Sequence, residues 1–210
     1  MSKLFRMDSP LMRFLTKIAD LMVLNILFCV TSIPLITIGA SWTALYSVTL
    51  KMVRDEEGSV SRSYFRSFRQ NFRQATLLWL GVLVVLALLV LDIRVLNGMA
   101  GETAPGLLRV GVEILALLGI MVLQYLFPSL ARFEASLADT LKNACMMALA
   151  HLPKTALMTA AAVGAVWITL INNTTIAVGL MVWPLIGFSL MAFGNSGILR
   201  KIFDNYVPKA

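Results

Sequence analysis

Residues 75–96 read ATLLWLGVLVVLALLVLDIRVL, and Asp92 and Arg94 are the only charged residues in this stretch. A membrane-spanning α-helix needs about 20 predominantly apolar residues, with a range of roughly 17–25. A helix of this composition has no polar face to turn toward water, as a surface helix of a soluble protein has. The stretch therefore predicts a membrane-spanning helix.

The composition of the whole chain leads to the same class. Hydrophobic residues make up 59% and charged residues 14% of its 210 residues, whereas soluble domains contain about 45–50% and about 25%. The net charge of +7 would also suit a nucleic-acid-binding protein. Here, however, the cations lie between apolar runs, which indicates membrane topology and no nucleic-acid surface.

The apolar runs predict an all-α fold, a polytopic transmembrane helical bundle. The region 18–53 leaves two interpretations open, because Pro34 and Gly39 interrupt it. It is either one long kinked helix or two short spans in a tight hairpin. Pro128 is expected to end a later span. With the hairpin, residues 1–210 form a single transmembrane domain of six spans, at about 18–35, 39–53, 75–96, 107–127, 155–171 and 175–194.

The distribution of cations favours the hairpin. Lysine and arginine collect in cytoplasmic loops, and both the N-terminus and the segment 51–74 are rich in them. An even number of crossings must separate these segments, and five spans, the alternative count, would put one of them on the wrong side. Loop 97–106 contains Glu102 and no cation, so it is expected outside. We predict a multi-pass inner (plasma) membrane protein with both termini in the cytoplasm, where the terminal cations are Lys3, Arg6, Arg13, Lys17, Arg200, Lys201 and Lys209.

Two segments on the cytoplasmic side are predicted to be amphipathic interfacial helices, at about 61–74 and 129–152. In the first, aromatic residues recur at three- and four-residue spacing and arginines occupy the other face. Such a helix suits the headgroup boundary, with anionic lipid headgroups as partners. It is either a lipid-anchored connector or a docking surface for a cytoplasmic partner such as a membrane transport complex. The four arginines are Arg62, Arg66, Arg69 and Arg73.

The second segment contains a pattern that resembles the ATPase-docking loop of ABC importer permeases. Glu134-Ala135-Ser136 is followed fourteen residues later by Ala150-His151-Leu152-Pro153. In those permeases a Glu-Ala-Ala start and an Ile-x-Leu-Pro end frame a short helix that fits a cleft in the ATPase. Thr140 stands in place of the central glycine, and Ala150 in place of isoleucine. The resemblance implies docking to an ATPase through Glu134, Leu152 and Pro153, and a chance match within an interfacial helix is the alternative.

The layout of the whole chain resembles the bacterial YesL-like family, which is defined by a domain of unknown function. The residues that carry this resemblance are the segment FRSFRQNFRQA at 65–75, a first span that ends near Pro34, and TLKNA at 140–144 leading to Leu152-Pro153. The resemblance implies a multi-pass inner-membrane protein. Because genes of the family often lie beside carbohydrate uptake systems, it also implies an accessory role in sugar import.

Ionisable residues inside a membrane span are functional candidates, because they are costly to place there. Asp92 and Arg94 end the third predicted span, and Arg109 and Glu113 begin the fourth. They are expected to pair between the third and fourth spans, Asp92 with Arg109 and Arg94 with Glu113. The alternative is a ligand or ion site that opens to the outside.

Three further polar residues of the predicted spans are more isolated. Asp20 and Asn25 in the first span and Gln124 in the fourth are each expected to form a hydrogen bond between helices.

The sequence contains no pattern that indicates catalysis. No serine, cysteine or threonine has a candidate base nearby, and there is no glycine-rich phosphate loop. His151, the single histidine, has no cluster of cysteines or carboxylates with which to bind a metal. We predict a non-enzymatic protein without cofactor or metal: an accessory or regulatory component of a bacterial uptake system. The alternative is a small transporter or an ABC-permease-like subunit that moves a small solute.

Overall fold

The computed structural model describes residues 10–56, 58–98 and 103–206, and every regular element within these ranges is helical. The all-α fold is therefore confirmed. Lys3, Arg6, Glu102 and Lys209, which the topology prediction uses, lie outside the described residues. The elements are α1 (Pro10–Thr31), a 3₁₀ turn (Leu35–Thr37), α2 (Ile38–Met52), α3 (Val60–Gly98), α4 (Thr103–Arg132), α5 (Leu137–Ala150), α6 (Leu152–Leu170), α7 (Asn173–Val182), a π-helical turn (Trp183–Gly187) and α8 (Phe188–Phe203).

Within the described ranges, five helical stretches are long and apolar enough to cross a membrane. Six spans were predicted, and the difference is α2. This helix has 15 residues and is about 22 Å long, whereas the hydrocarbon core is about 30 Å thick. The five stretches are Leu11–Thr31, Val60–Gly98, Leu108–Arg132, Leu152–Leu170 and Asn173–Phe203.

Helices α1 and α2 form an antiparallel hairpin, and the region is not one long kinked helix. At the open end, Lys17 Nζ lies 3.4 Å from the carbonyl oxygen of Met52 and 2.5 Å from Asp55 Oδ1. At the closed end, Ser41 Oγ donates a hydrogen bond to Thr31 Oγ1 at 2.9 Å. Through its hydrogen bond and its charge, Lys17 also lowers the pKa of the exposed Asp55 carboxyl. The hairpin therefore returns the chain to the side from which α1 starts.

Helix α2 lies in the centre of the protein, between α1, α3, α4 and α8. Its small residues let the neighbouring backbones approach closely. A Cβ atom added at Gly39 would lie 2.5 Å from the carbonyl oxygen of Ala75 and 2.6 Å from Trp79 Cβ. Next to this contact, Trp79 Nε1 donates to the carbonyl oxygen of Leu35 at 2.7 Å. The closed end of the hairpin is thus fixed against the middle of α3.

The arginine segment and the third span are one continuous helix, α3, of 39 residues. A separate interfacial helix over 61–74 was predicted, and the structure corrects this. No glycine or proline interrupts the helix before Gly81, so nothing in the chain favours a break. The predicted lipid-facing aromatic stripe is also only partly exposed. Tyr64 is fully buried and its hydroxyl lies 2.6 Å from Thr31 Oγ1.

The predicted interfacial helix over 129–152 also differs from the structure. Helix α4 continues through Pro128 to Arg132, because the residues around the proline pack in the protein interior, where tertiary contacts outweigh one missing backbone donor. Phe127 and Leu130 are among these buried residues. A short loop follows, and α5 begins after Ser136, whose hydroxyl accepts a hydrogen bond from the Asp139 backbone amide at 3.2 Å.

The last span combines α7, the π-helical turn and α8 in one helical stretch that contains Pro184. The π-helical turn interrupts the regular hydrogen-bond pattern of the α-helix. The Asn25 side chain pairs with backbone groups at this interruption: it donates to the carbonyl oxygens of Trp183 at 2.9 Å and Pro184 at 2.6 Å, and accepts from the Ser189 amide at 2.9 Å. The predicted helix–helix hydrogen bond of Asn25 is confirmed.

The predicted interhelical bond of Gln124 is confirmed as well. Its Oε1 atom accepts a hydrogen bond from Asn195 Nδ2 at 3.3 Å. This bond connects α4 to α8 in the protein interior.

Substituting alanine for Gly39 is expected to separate α2 from α3. The new Cβ would meet backbone and Cβ atoms that cannot rotate away, so the free energy of unfolding should fall by about 1–3 kcal/mol. Thermal unfolding in detergent measures this. Gly81→Ala on α3 is the matched control, because its Cβ would enter open space. Equal stability of the two variants would contradict the close contact.

Candidate functional site

The four arginines of α3 form a straight row on its surface, which we call the arginine row (Arg62, Arg66, Arg69 and Arg73). Their spacing of four, three and four residues places them on one helix face, and all four side chains are exposed. Within the described residues, none of them takes part in a salt bridge. Four unpaired cations at this density form a strongly positive surface.

The face of α3 opposite the row holds the helix in the protein. Val60, Tyr64, Ser67 and Ala75 are buried there. Because this face is fixed, the arginine row points away from the body of the protein. The row is therefore presented by a packed helix and not by a loop.

A loop from the other candidate segment lies beside the row. Gln74 Nε2 donates a hydrogen bond of 2.6 Å to the carbonyl oxygen of Ala135, which is 61 residues away in sequence. Between α3 and the loop is a polar cavity of about 570 Å³, to which Gln70, Asn71 and Glu134 also contribute. The structure thus brings together two segments that the sequence indicated separately. We call the arginine row, this cavity and the loop 133–136 the polar face.

The ABC-permease-like pattern frames a helix, α5, of 14 residues. Glu134 is exposed in the loop before it, and Leu152 and Pro153 begin α6 after it, with Leu152 48% exposed. The junction at His151 is fixed by Thr155, whose hydroxyl donates to the carbonyl oxygen of Ala148 at 3.0 Å. The short framed helix is the feature that the resemblance implies.

The predicted intramembrane cluster is only partly assembled. Arg109 Nε and Glu113 Oε1 are 3.1 Å apart on the same helix, and their side chains are 61% and 59% exposed. Within the described ranges, Asp92 and Arg94 of α3 form no ion pair with α4. The two bridges expected between α3 and α4 are therefore absent from the described structure, and the four residues do not form a closed site.

Several buried polar contacts were not predicted from sequence. Thr49 and Ser196 hydroxyls lie 2.8 Å apart, and Asn195 Nδ2 lies 3.4 Å from the Tyr46 hydroxyl. The sequence signal that was available is the polar pair Asn195-Ser196 within an apolar run. These contacts connect α2 to α8 and have an evident packing role.

The fold and its five apolar helices indicate a polytopic α-helical membrane protein. The family described as "Protein of unknown function, DUF624" matches residues 21–93, which include the second half of α1, all of α2 and the arginine row. The chain is also 27% identical to the uncharacterized protein YesL of Bacillus subtilis (strain 168) over 159 residues, 75% of this chain and 74% of YesL. These two matches confirm the resemblance to the YesL-like family. No solved structure is significantly similar to the chain.

Replacing Gln74 with leucine should loosen the loop 133–136. The substitution removes a hydrogen bond that contributes about 1 kcal/mol, so exchange of the loop amides should accelerate roughly fivefold. Hydrogen–deuterium exchange with mass spectrometry measures this. Gln70→Leu is the control, because Gln70 lines the same cavity but its side chain forms no hydrogen bond within the described ranges. Unchanged exchange in the Gln74 variant would show that the loop is held by other contacts.

Proposed function

We propose that this chain is a non-enzymatic accessory or regulatory component of a bacterial uptake system, and that it binds a cytoplasmic partner on the polar face. One observation carries the proposal: the arginine row and the loop 133–136 lie side by side, joined by the hydrogen bond between Gln74 and Ala135. The link to carbohydrate uptake rests on the resemblance to the YesL-like family.

Charge and exposure support a binding role for this face. The side chains of the arginine row and of Glu134 are exposed and carry no ion pair within the described residues. By contrast, Arg54, which is predicted on the same side of the membrane, forms a salt bridge within the chain: its Nη2 atom lies 2.5 Å from Asp204 Oδ1. Free guanidinium groups can form bidentate hydrogen bonds with the carboxylates or phosphates of a partner.

The proposed placement in the inner membrane puts the polar face in the cytoplasm, together with both termini. The α1–α2 hairpin supports this, because it returns the chain to its starting side and so keeps an even number of crossings before α3. The number of crossings before α3 is two if the hairpin crosses the bilayer completely, as in six spans, and none if it turns within the bilayer. It is even in both cases. In either case the cation-rich segments follow the positive-inside tendency.

An ATPase or permease subunit of an importer is the partner that we propose for α5. The helix is short, follows an exposed loop that contains Glu134, and is followed by the exposed Leu152 at the start of α6. A short helix with exposed residues at both flanks, such as α5, suits a groove on the surface of a partner. The polar face and α5 would then contact the same transport complex.

The alternative function, a small-solute transporter, has one supporting observation. A groove of about 720 Å³ lies between α6, α7 and α8, and Asn195 contributes to its wall. The other lining residues are mostly apolar, and the Asn195 amide already bonds to Gln124 and Tyr46. Such a groove suits acyl chains better than a hydrated solute. Solute flux into liposomes that contain the purified chain alone would favour transport over an accessory role.

The docking proposal is tested by recovery of the partner from native membranes in mild detergent. We expect Arg66→Gln combined with Arg69→Gln to reduce recovery about tenfold, because each exposed ion pair contributes roughly 0.2–1 kcal/mol. The control is Lys51→Gln with Lys201→Gln, which removes two exposed cations of the same predicted side but outside the polar face. Equal recovery with both double variants would contradict the proposal.

A further inference from the structure

We infer that the arginine row binds an acidic amphipathic helix of a partner protein, with carboxylates that follow the same four, three and four spacing. The inference rests on the proposed function and specifies the chemistry of the partner. The row extends over twelve residues, from Arg62 to Arg73, so its two ends are about 16 Å apart along the helix. A second helix that packs alongside α3 can place one carboxylate opposite each guanidinium, because its own side chains repeat with the same period.

The guanidinium group suits carboxylates at these positions. It is planar and permanently charged, and its donors match the two oxygens of a carboxylate. Within the described ranges no acidic side chain of the chain itself occupies this role. In the described structure the guanidinium groups of the row are therefore available to the carboxylates of a binding partner.

An apolar edge beside the row indicates that the partner also has an apolar side. Phe65 and Phe72 lie next to the arginines and remain 46% and 38% exposed. A concavity of about 450 Å³ follows the row and is lined by Arg62, Phe65, Arg66, Arg69 and Gln70. An amphipathic helix presents carboxylates and apolar side chains on adjacent strips, and so fits a charged row with an aromatic edge.

Anionic lipid headgroups would satisfy the charges but fit the geometry less well. Headgroup phosphates occupy a layer parallel to the bilayer, and a basic helix binds them by lying flat with its apolar face in the acyl chains. Here the helix continues into the apolar stretch of α3, so the four arginines follow the axis of a span. The centre of the aromatic face that would enter the lipid is instead buried in the protein, with Tyr64 fully buried, and only the edge with Phe65 and Phe72 stays exposed.

The test uses the full chain in nanodiscs of neutral phosphatidylcholine and a fluorescent helical peptide. The peptide carries glutamates at positions with the spacing of the row and leucines on the adjacent strip, and its control has glutamine at each glutamate. Fluorescence anisotropy should show binding of the glutamate peptide, about tenfold weaker to the Arg66→Gln/Arg69→Gln variant. The Lys51→Gln/Lys201→Gln variant should bind like the unmodified chain. Thermal unfolding of both variants shows whether each is folded.

Two results would overturn the inference. The first is equal binding of the glutamate and glutamine peptides, or equal binding to the two double variants. The second is no binding of the glutamate peptide. In nanodiscs that also contain phosphatidylglycerol, enrichment of this lipid around the chain that is lost in the Arg66→Gln/Arg69→Gln variant would then identify the row as a headgroup site. Either result leaves the recovery of a partner from native membranes unaffected, so this inference and the proposed function can fail separately.

Discussion

The close approach of Gly39 to Ala75 and Trp79 is the constraint on which the rest of the structure depends. Because position 39 has no side chain, the backbone of α2 can lie against α3. This contact fixes the closed end of the α1–α2 hairpin beside α3 and gives α2 its buried position. With α3 held on that side, its opposite face is left exposed, and that face carries the arginine row.

The same packing explains why the polar face has two parts. Helix α4 runs back beside α3, and Leu130 of α4 packs with Ala40 and Ala75. The loop that follows α4 therefore reaches Gln74, although 61 residues separate Gln74 from Ala135. The protein thus combines a closely packed interior, formed around small residues, with one charged surface. We regard this surface as the place where the chain acts.

The sequence predicted the membrane class, the hairpin and the long apolar helices, because these follow from local composition and from the placement of cations. It did not predict where helices end. Pro128 was expected to stop α4, but buried neighbours carry the helix to Arg132. For the polar contacts between helices, the sequence showed one of the two partners. Asn25 was recognisable as a polar residue within an apolar run, but its hydrogen-bond partner Pro184 lies 159 residues away. Such partners depend on tertiary packing, which a local pattern does not contain.

The central claim is that the polar face lies in the cytoplasm, and labelling of a single cysteine tests it most directly. In a chain with Cys29 and Cys145 replaced by alanine, Gln70→Cys places an exposed thiol beside the arginine row. Gly98→Cys places one at the other end of the same helix. The account predicts that a membrane-impermeant maleimide labels the thiol at position 98 in intact cells and the thiol at position 70 only after permeabilisation. Labelling of position 70 in intact cells would contradict it.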